Sequence, residues 1–189
     1  MLEAIEKFDI NLFFAINSRH NPFFDAVFYW ISNAWIWIPF YLSLVYLLTK
    51  LYGINRALIQ LVFIVSMVLI ADLVSLYLLK NGIARYRPTH NLEFGKVVHT
   101  VYGHKGGLYG FVSPHSANFM TWVVLVTFLI RQKIKSKWTL LFFLLPVIVG
   151  FSRIYLGVHY PLDVIGGFIV GGLIALIGIQ IYKRKIASL

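Results

Sequence analysis

The sequence contains no cysteine and few charged residues. Only 13% of its 189 residues are Asp, Glu, Lys or Arg, whereas a soluble domain carries about 25%. Without cysteine the chain has no disulfide framework, no thiolate nucleophile and no cysteine-based metal site. The shortage of charge excludes a water-soluble enzyme with a polar surface, a disordered chain and a nucleic-acid-binding protein, because each needs many more exposed charged side chains.

Apolar residues dominate instead, with 59% hydrophobic and 17% aromatic residues. A helix needs roughly 20 apolar residues to cross a bilayer, and five stretches approach or exceed that length: 35–51, 57–79, 116–130, 138–151 and 162–182. In the first 17 residues apolar side chains recur at helical spacing, which indicates an amphipathic helix in the membrane interface. We predict an all-α, polytopic membrane helical bundle of about five transmembrane helices plus an N-terminal interfacial helix, with residues 1–189 as a single domain.

The basic residues predict the orientation of the bundle. Cations without acids cluster in the loop 131–137, in the tail after residue 182 and near the first hairpin, at Lys50 and Arg56. Because cytoplasmic loops carry an excess of Lys and Arg, this side is predicted to face the cytoplasm. The net charge of +10 therefore indicates cytoplasmic anchoring, an anion site on the other side, or both.

Three polar clusters, 80–88, 112–116 and 152–163, stand at the opposite ends of the predicted spans. Under the predicted topology they face the same compartment. Three cations, Lys80, Arg87 and Arg153, together with the free N–H groups of a helix that begins near His115, are suited to bind a tetrahedral oxyanion. The guanidinium group favours this interpretation because its planar fork grips two phosphate oxygens at once.

Two histidines complete the candidate site. His159 lies four residues before Asp163, so the carboxylate can accept a hydrogen bond from one ring nitrogen and leave the other free as a nucleophile. His115 can protonate the leaving oxygen as a general acid. We interpret the set as machinery for phosphoryl transfer without a metal or other cofactor, in which the protein itself stabilises the developing charge.

Other polar residues are interpreted as structural. Arg85 and Lys96 are expected to extend to the interface, and four loop histidines to be solvated: His20, His90, His99 and His104. Asp72, inside the second span, is expected to bond to a neighbouring helix. The long loop 88–110 either contacts or covers the bound substrate, or is merely solvated.

The motifs resemble the signature of the type 2 phosphatidic acid phosphatase (PAP2) superfamily: K-x6-R-P, then P-S-G-H, then S-R-x5-H-x3-D. The first is complete as Lys80…Arg87-Pro88, and the third as Ser152-Arg153…His159…Asp163. The second is altered to Val112-Ser113-Pro114-His115. The resemblance covers roughly residues 57–182 and keeps the order of motifs and helices.

The resemblance implies a role for each matching residue. His159 would form a phosphohistidine with Asp163 as its partner, and His115 would be the acid for the leaving group. The phosphate clamp would be Lys80, Arg87, Ser113 and Arg153. Pro114 stands where the family has glycine and has no N–H to donate, so we expect an active site of slightly altered geometry.

The implied function is a metal-independent lipid phosphatase in the bacterial inner membrane, with its site facing the periplasm. The expected partners are the bilayer and a lipid phosphate, namely undecaprenyl diphosphate, phosphatidylglycerophosphate or lipid A, and no nucleic acid. The alternatives are a lipid phosphotransferase, a protein that binds or transports an anion or lipid phosphate through the same cations, and a haloperoxidase, whose family is soluble. The sequence leaves the oligomeric state open.

Overall fold

The fold is described from a computed structural model over residues 2–186. This part of the chain is helical, and its one β-type contact is an isolated bridge between Tyr86 and Tyr109. The helices are α1 (Leu2–Asn17), α2 (Pro22–Ser32), α3 (Ile38–Tyr52), α4 (Ile54–Leu73), α5 (Lys80–Ile83), α6 (Pro114–Lys133), α7 (Leu144–Tyr155) and α8 (Pro161–Ile181). The predicted all-α bundle is confirmed.

Short segments of tighter or wider helix extend four of these helices. A 3-10 turn, Ala34–Trp37, precedes α3, and another, Lys137–Phe143, precedes α7. A π-helical segment, Val74–Leu79, joins α4 to α5, and a second, Tyr182–Ile186, follows α8. Within the part of the chain that the structure describes, four continuous helical stretches are long and apolar enough to cross a membrane: Ala34–Tyr52, Ile54–Ile83, Lys137–Tyr155 and Pro161–Ile186.

The fifth predicted span lies within α6, the central helix of the bundle. Its 20 residues give about 30 Å of helix, enough to cross the hydrocarbon core. It is less apolar than the other four because it packs against α3, α4, α7 and α8, so protein rather than lipid covers many of its side chains. The buried Thr121 side chain, for example, is satisfied inside the bundle, because its hydroxyl donates to the Gly171 carbonyl at 3.0 Å.

Small residues let α6 and α8 approach closely. A Cβ atom added at Gly167 would lie 2.6 Å from the carbonyl oxygen of Ser113, and one at Gly171 would overlap the backbone of Ala117. Glycines at this spacing are typical of tightly packed membrane helices. The close approach fixes the start of α8 against the start of α6, and both helices begin in the predicted motifs.

The N-terminal helix α1 has two different faces. Its predicted apolar stripe is exposed at Ile5, Phe8 and Leu12, as expected for a helix in the interface. Its other face packs on α7 and α8, where Phe13 is fully buried and lies edge-on to Tyr160. The helix is therefore part of the protein core as well as an interfacial element.

Helix α2 is an element that the sequence analysis did not predict. It begins with an Asn-Pro pair, in which the Asn21 side chain accepts a hydrogen bond from the Phe24 N–H at 2.9 Å and Pro22 occupies the first turn. Both residues are standard helix-start signals. The helix packs against α7 and brings its last residue, Ser32, next to Arg153.

Candidate active site

The three motifs meet at one end of the bundle. The first begins with α5, the second caps α6, and the third spans the end of α7 and the start of α8. They surround one end of a cavity of about 890 Å³. The side chains of the predicted site that line it are Lys80, Arg87, His115, Arg153 and His159.

The guanidinium groups of Arg87 and Arg153 both donate hydrogen bonds to other parts of the protein. Arg87 donates from Nε to the Tyr109 carbonyl at 3.0 Å and from Nη1 to the Val158 carbonyl at 3.2 Å. Arg153 donates from Nη1 to the Ser32 hydroxyl, and its buried Nε has no partner in the described chain. Burial lowers the pKa of Arg87 from its ordinary value, which reflects the cost of keeping a cation out of water.

His159 lies at the centre of the site and is almost fully buried, with 1% of its surface exposed. Neither ring nitrogen makes a regular hydrogen bond with the described residues, and Nδ1 lies 3.4 Å from Oδ2 of Asp163. Burial, with the charges of Arg87 and Arg153, lowers the pKa of His159 well below 6.5. The ring is therefore neutral at pH 7, the state in which a ring nitrogen can act as a nucleophile.

Asp163 stands behind His159 and does not line the cavity. Its Oδ2 accepts a hydrogen bond from the Tyr160 N–H at 2.9 Å, and its Oδ1 accepts one from Nη1 of Arg85 at 2.9 Å. The other amino group of Arg85 binds Asp9 of α1 at 2.7 Å, and Asp9 also accepts from the Leu162 N–H at 2.9 Å. A chain of charged contacts thus runs from α1 to the His–Asp pair.

The expectation that Arg85 extends to the interface is wrong. Its guanidinium bridges two fully buried carboxylates and lies 4.1 Å from the centre of the Tyr160 ring. Burial alone would lower the pKa of Arg85, but the Asp163 and Asp9 carboxylates raise it. Asp9 was missed because an acid in an amphipathic helix is ordinarily solvated, and its partner lies 76 positions away.

Ser113 and Pro114 act at the start of α6. The Ser113 hydroxyl accepts from the Ser116 hydroxyl at 3.0 Å and from the Ser116 N–H at 3.4 Å, so it caps the helix and lies outside the cavity lining. Pro114 is the first residue of the helix, where an N–H would have no partner within the helix. The altered second motif therefore fits the helix start without losing a backbone bond.

The loop 88–110 borders the site, although many of its residues, such as Leu92 and Tyr102, are exposed. It contributes His104 and Gly106 to the cavity lining, and burial, with the charges of Arg153 and Arg87, lowers the pKa of His104. His99 also departs from the solvated state expected of it: its Nε2 lies 3.0 Å from Asp25, and its ring stacks on that of His20. A single loop histidine carries no sequence signal for such contacts.

Deeper in the bundle the same cavity becomes an apolar groove between α3, α4 and α6. Its walls include Leu44, Ile64, Val68 and Trp122. At the boundary between groove and cationic end, Asn118 of α6 donates from Nδ2 to Asp72 of α4 at 2.8 Å. The predicted bond between Asp72 and a neighbouring helix is confirmed.

Fold and site together define a helical membrane protein with a cluster of cationic side chains at one end of its bundle. Comparison with known proteins agrees, because the sequence profile of the PAP2 superfamily matches residues 57–187. The chain therefore belongs to this superfamily. The predicted family is confirmed, as is the class, a phosphatase that spans the membrane several times.

Individual relatives cover most of the chain. The lipid A 4'-phosphatase of Porphyromonas gingivalis is 35% identical over 182 residues, which are 96% of this chain and 75% of that protein. The lipid A 4'-phosphatase of Bacteroides thetaiotaomicron is 32% identical over 174 residues, 91% of this chain and 76% of that protein. The crystal structure of a transmembrane PAP2-type phosphatidylglycerolphosphate phosphatase from Bacillus subtilis has the same fold, with TM-score 0.70, 21% identity, and coverage of 96% of this chain and 88% of that one.

Proposed function

We propose that this protein is a metal-independent lipid phosphatase that works through a phosphohistidine on His159. The observation that carries the proposal is the lining of one cavity, which joins a cationic end to an apolar groove within the bundle. A lipid phosphate has the same two parts. Its phosphate suits the cations, and its chains suit the groove, which lies between helices that face the bilayer.

The phosphate would be bound by Lys80, Arg87 and Arg153. Arg87 is already fixed by two carbonyls, so little side-chain freedom is lost when the anion binds. The buried Nε of Arg153 lacks a partner, and an unpaired buried donor favours a ligand that can accept its hydrogen bond. Such charge-assisted bonds to phosphate oxygens are the strong ones, and they stabilise the charge that develops during the transfer.

In the first step Nε2 of His159 attacks phosphorus. An N–P bond forms and the P–O bond to the lipid alcohol breaks, while His115 donates its proton to the leaving oxygen. Nδ1–H of His159 donates to Asp163, whose two oxygens are oriented by Arg85 and the Tyr160 N–H. The Nδ1–Oδ2 distance of 3.4 Å is long for a hydrogen bond, as is common before substrate binds.

In the second step a water molecule displaces His159 from phosphorus. His115, now neutral, takes a proton from the water, which attacks the phosphohistidine and releases inorganic phosphate. The N–P bond breaks and His159 returns to its neutral state. No atom of the cycle requires a metal, because the three cations supply the positive charge that a metal ion supplies elsewhere.

Lipid A is the first candidate substrate because two relatives that cover most of the chain are named lipid A 4'-phosphatases. Undecaprenyl diphosphate and phosphatidylglycerophosphate carry the same terminal phosphate and belong in the same test. The excess of Lys and Arg at the opposite end of the bundle supports placing the site on the periplasmic face of a bacterial inner membrane. The whole chain would act as one catalytic domain, because α1 supplies Asp9 to the contacts behind His159.

The test is phosphate release by detergent-solubilised protein from lipid A, undecaprenyl diphosphate, phosphatidylglycerophosphate and phosphatidic acid, each with EDTA present. We expect release from at least one lipid, complete loss in His159→Ala, and no change in the matched variant Arg131→Ala, whose arginine lies at the far end of α6. Release that needs a metal, or that survives His159→Ala, would contradict the proposal. Release of the alcohol only after a second alcohol is added would instead identify a phosphotransferase.

A further inference from the structure

The Asp72–Asn118 pair is a polar feature in a part of the cavity that is otherwise apolar. Asp72 is the one acidic side chain among the described residues of 2–186 that line this cavity. It lies on a membrane-spanning helix, where an ionisable residue is costly and is usually retained for a function. The phosphate chemistry proposed above does not use it.

The pair stands at a defined level in the cavity. Asn118 follows His115 by three residues, about 4.5 Å along the axis of α6, and Trp122 lines the groove one turn further on. Asp72 faces it from α4, just before the π-helical segment that leads to Lys80. A lipid whose phosphate contacts His115 and Lys80 would therefore place the first atoms of its alcohol beside this pair.

The pair has hydrogen-bonding capacity that the protein does not use. The Asn118 amide group donates a hydrogen bond to Asp72, which leaves the Asn118 carbonyl oxygen as an acceptor. That oxygen, Oδ1, is buried and has no partner within the described chain. A carboxylate can accept several hydrogen bonds, and Asn118 supplies one to Asp72. Both residues thus present acceptors to a ligand that carries a donor.

We propose that Asp72 and Asn118 form a subsite that recognises a hydroxyl or amide N–H group on the alcohol next to the phosphate. The inference rests on the proposed function and narrows its substrate class. Phosphates carried on a sugar, or on a glycerol that keeps a free hydroxyl, have such donors within a few bonds of phosphorus. A polyprenyl phosphate has only C–H groups there and leaves the Asn118 oxygen unpaired, so the subsite discriminates against it.

A purely structural role for the pair makes a different prediction. The same helix α4 carries such a structural bond at Gln60, which is buried and donates to the Tyr182 hydroxyl at 3.0 Å. Gln60 does not line the cavity. Replacing a residue that only joins helices weakens the protein without changing the relative binding of two lipids.

The experiment measures lipid binding in a His159→Ala background, so that no turnover intervenes. Dissociation constants for lipid A and undecaprenyl phosphate are measured by native mass spectrometry in detergent, with and without Asp72→Leu or Asn118→Leu, and with Gln60→Leu as the matched control. We expect Asp72→Leu to weaken lipid A binding about tenfold or more, since a hydrogen bond to a charged group is lost. Asn118→Leu should weaken it about three- to tenfold, since the bond lost there is to a neutral amide. Binding of undecaprenyl phosphate should stay the same, and Gln60→Leu should leave the ratio of the two constants unchanged.

Equal losses for both lipids, or no loss for either, would overturn the subsite. A His159→Ala protein that binds lipid A no more tightly than undecaprenyl phosphate would overturn it as well. If Asp72→Leu does not fold, the isosteric Asp72→Asn must shift the ratio in the same direction. Turnover by the wild-type protein is scored separately: selective binding without hydrolysis of any lipid would refute the phosphatase and still support the subsite.

Discussion

Replacing Arg85 is the most informative single change outside the motifs. Arg85 is the link between α1 and the candidate nucleophile, because it binds Asp163 at 2.9 Å and Asp9 at 2.7 Å. Its side chain is 22% exposed, whereas both carboxylates are fully buried. Arg85→Ala therefore leaves two buried acids close together without their shared cation.

The expected loss of stability follows from the burial of this ion pair. Removing one partner of a buried ion pair costs about 3–5 kcal/mol of stability, and the partial exposure of Arg85 reduces this cost to about 2–3 kcal/mol. The effect on catalysis is separate. Removing an orienting carboxylate lowers kcat about 10⁴-fold in a Ser-His-Asp triad. Here Asp163 remains and keeps its bond to the Tyr160 N–H, so we expect a loss of about 10- to 100-fold in kcat with KM little changed.

The assay is kcat and KM on the preferred lipid, together with thermal unfolding in the same detergent. Arg85→Lys should recover only part of the rate, because one ammonium group cannot bridge both acids as the guanidinium does. Asp9→Asn should cost stability but little kcat, since Arg85 still binds Asp163. A folded Arg85→Ala protein with wild-type kcat would refute this reasoning, as would an equal loss in the matched exposed variant Arg131→Ala.

Two further predictions follow from the same site. Gly106 has φ +69° and packs on Arg87, whose Nη1 would lie 2.5 Å from an added Cβ atom; Gly106→Ala should raise KM about tenfold by displacing that guanidinium. Gly107, which has nothing within 4 Å, provides the matched control, and an equal effect of Gly107→Ala would contradict the explanation. The lowered pKa of His159 keeps its ring neutral as the pH falls, so the acid limb of kcat/KM due to this residue should lie below pH 6.5. If kcat/KM instead falls off at or above pH 6.5, and does so equally for a monophosphate and a diphosphate lipid, the prediction for His159 is wrong.

The fold was largely predictable because lipid demands a regular pattern. Each membrane-spanning helix must satisfy its own backbone and present apolar residues to lipid, so the spans are visible as long apolar stretches. Helix α6 is the partial exception. It is surrounded by protein, which removes the need for an apolar surface and leaves a weaker hydropathy signal. Helix α2 was missed, although Asn21 and Pro22 are ordinary helix-start residues, because Arg19, His20 and Asp25 interrupt the apolar pattern around it.

Contacts between individual residues of the candidate site were predictable only where the residues are close in sequence. His159 lies two residues before α8 and Asp163 in its first turn, so a separation of only four positions brings them near each other. Arg85 meets Asp163 across 78 positions, and no local pattern specifies such a pair. For Ser113 a local signal was present, because a serine before Pro114 is typical of a helix cap. The resemblance to the family motif instead favoured a role in phosphate binding.

The central claim, a phosphohistidine on His159, is tested most directly by trapping it. The protein is mixed with lipid labelled in its terminal phosphate, quenched in alkali within the first turnover, and digested for peptide mapping. We expect label on the peptide that contains His159, stable in alkali, released by acid and absent from His159→Ala. Full turnover by the wild-type protein with no labelled peptide, or label on another residue, would contradict it.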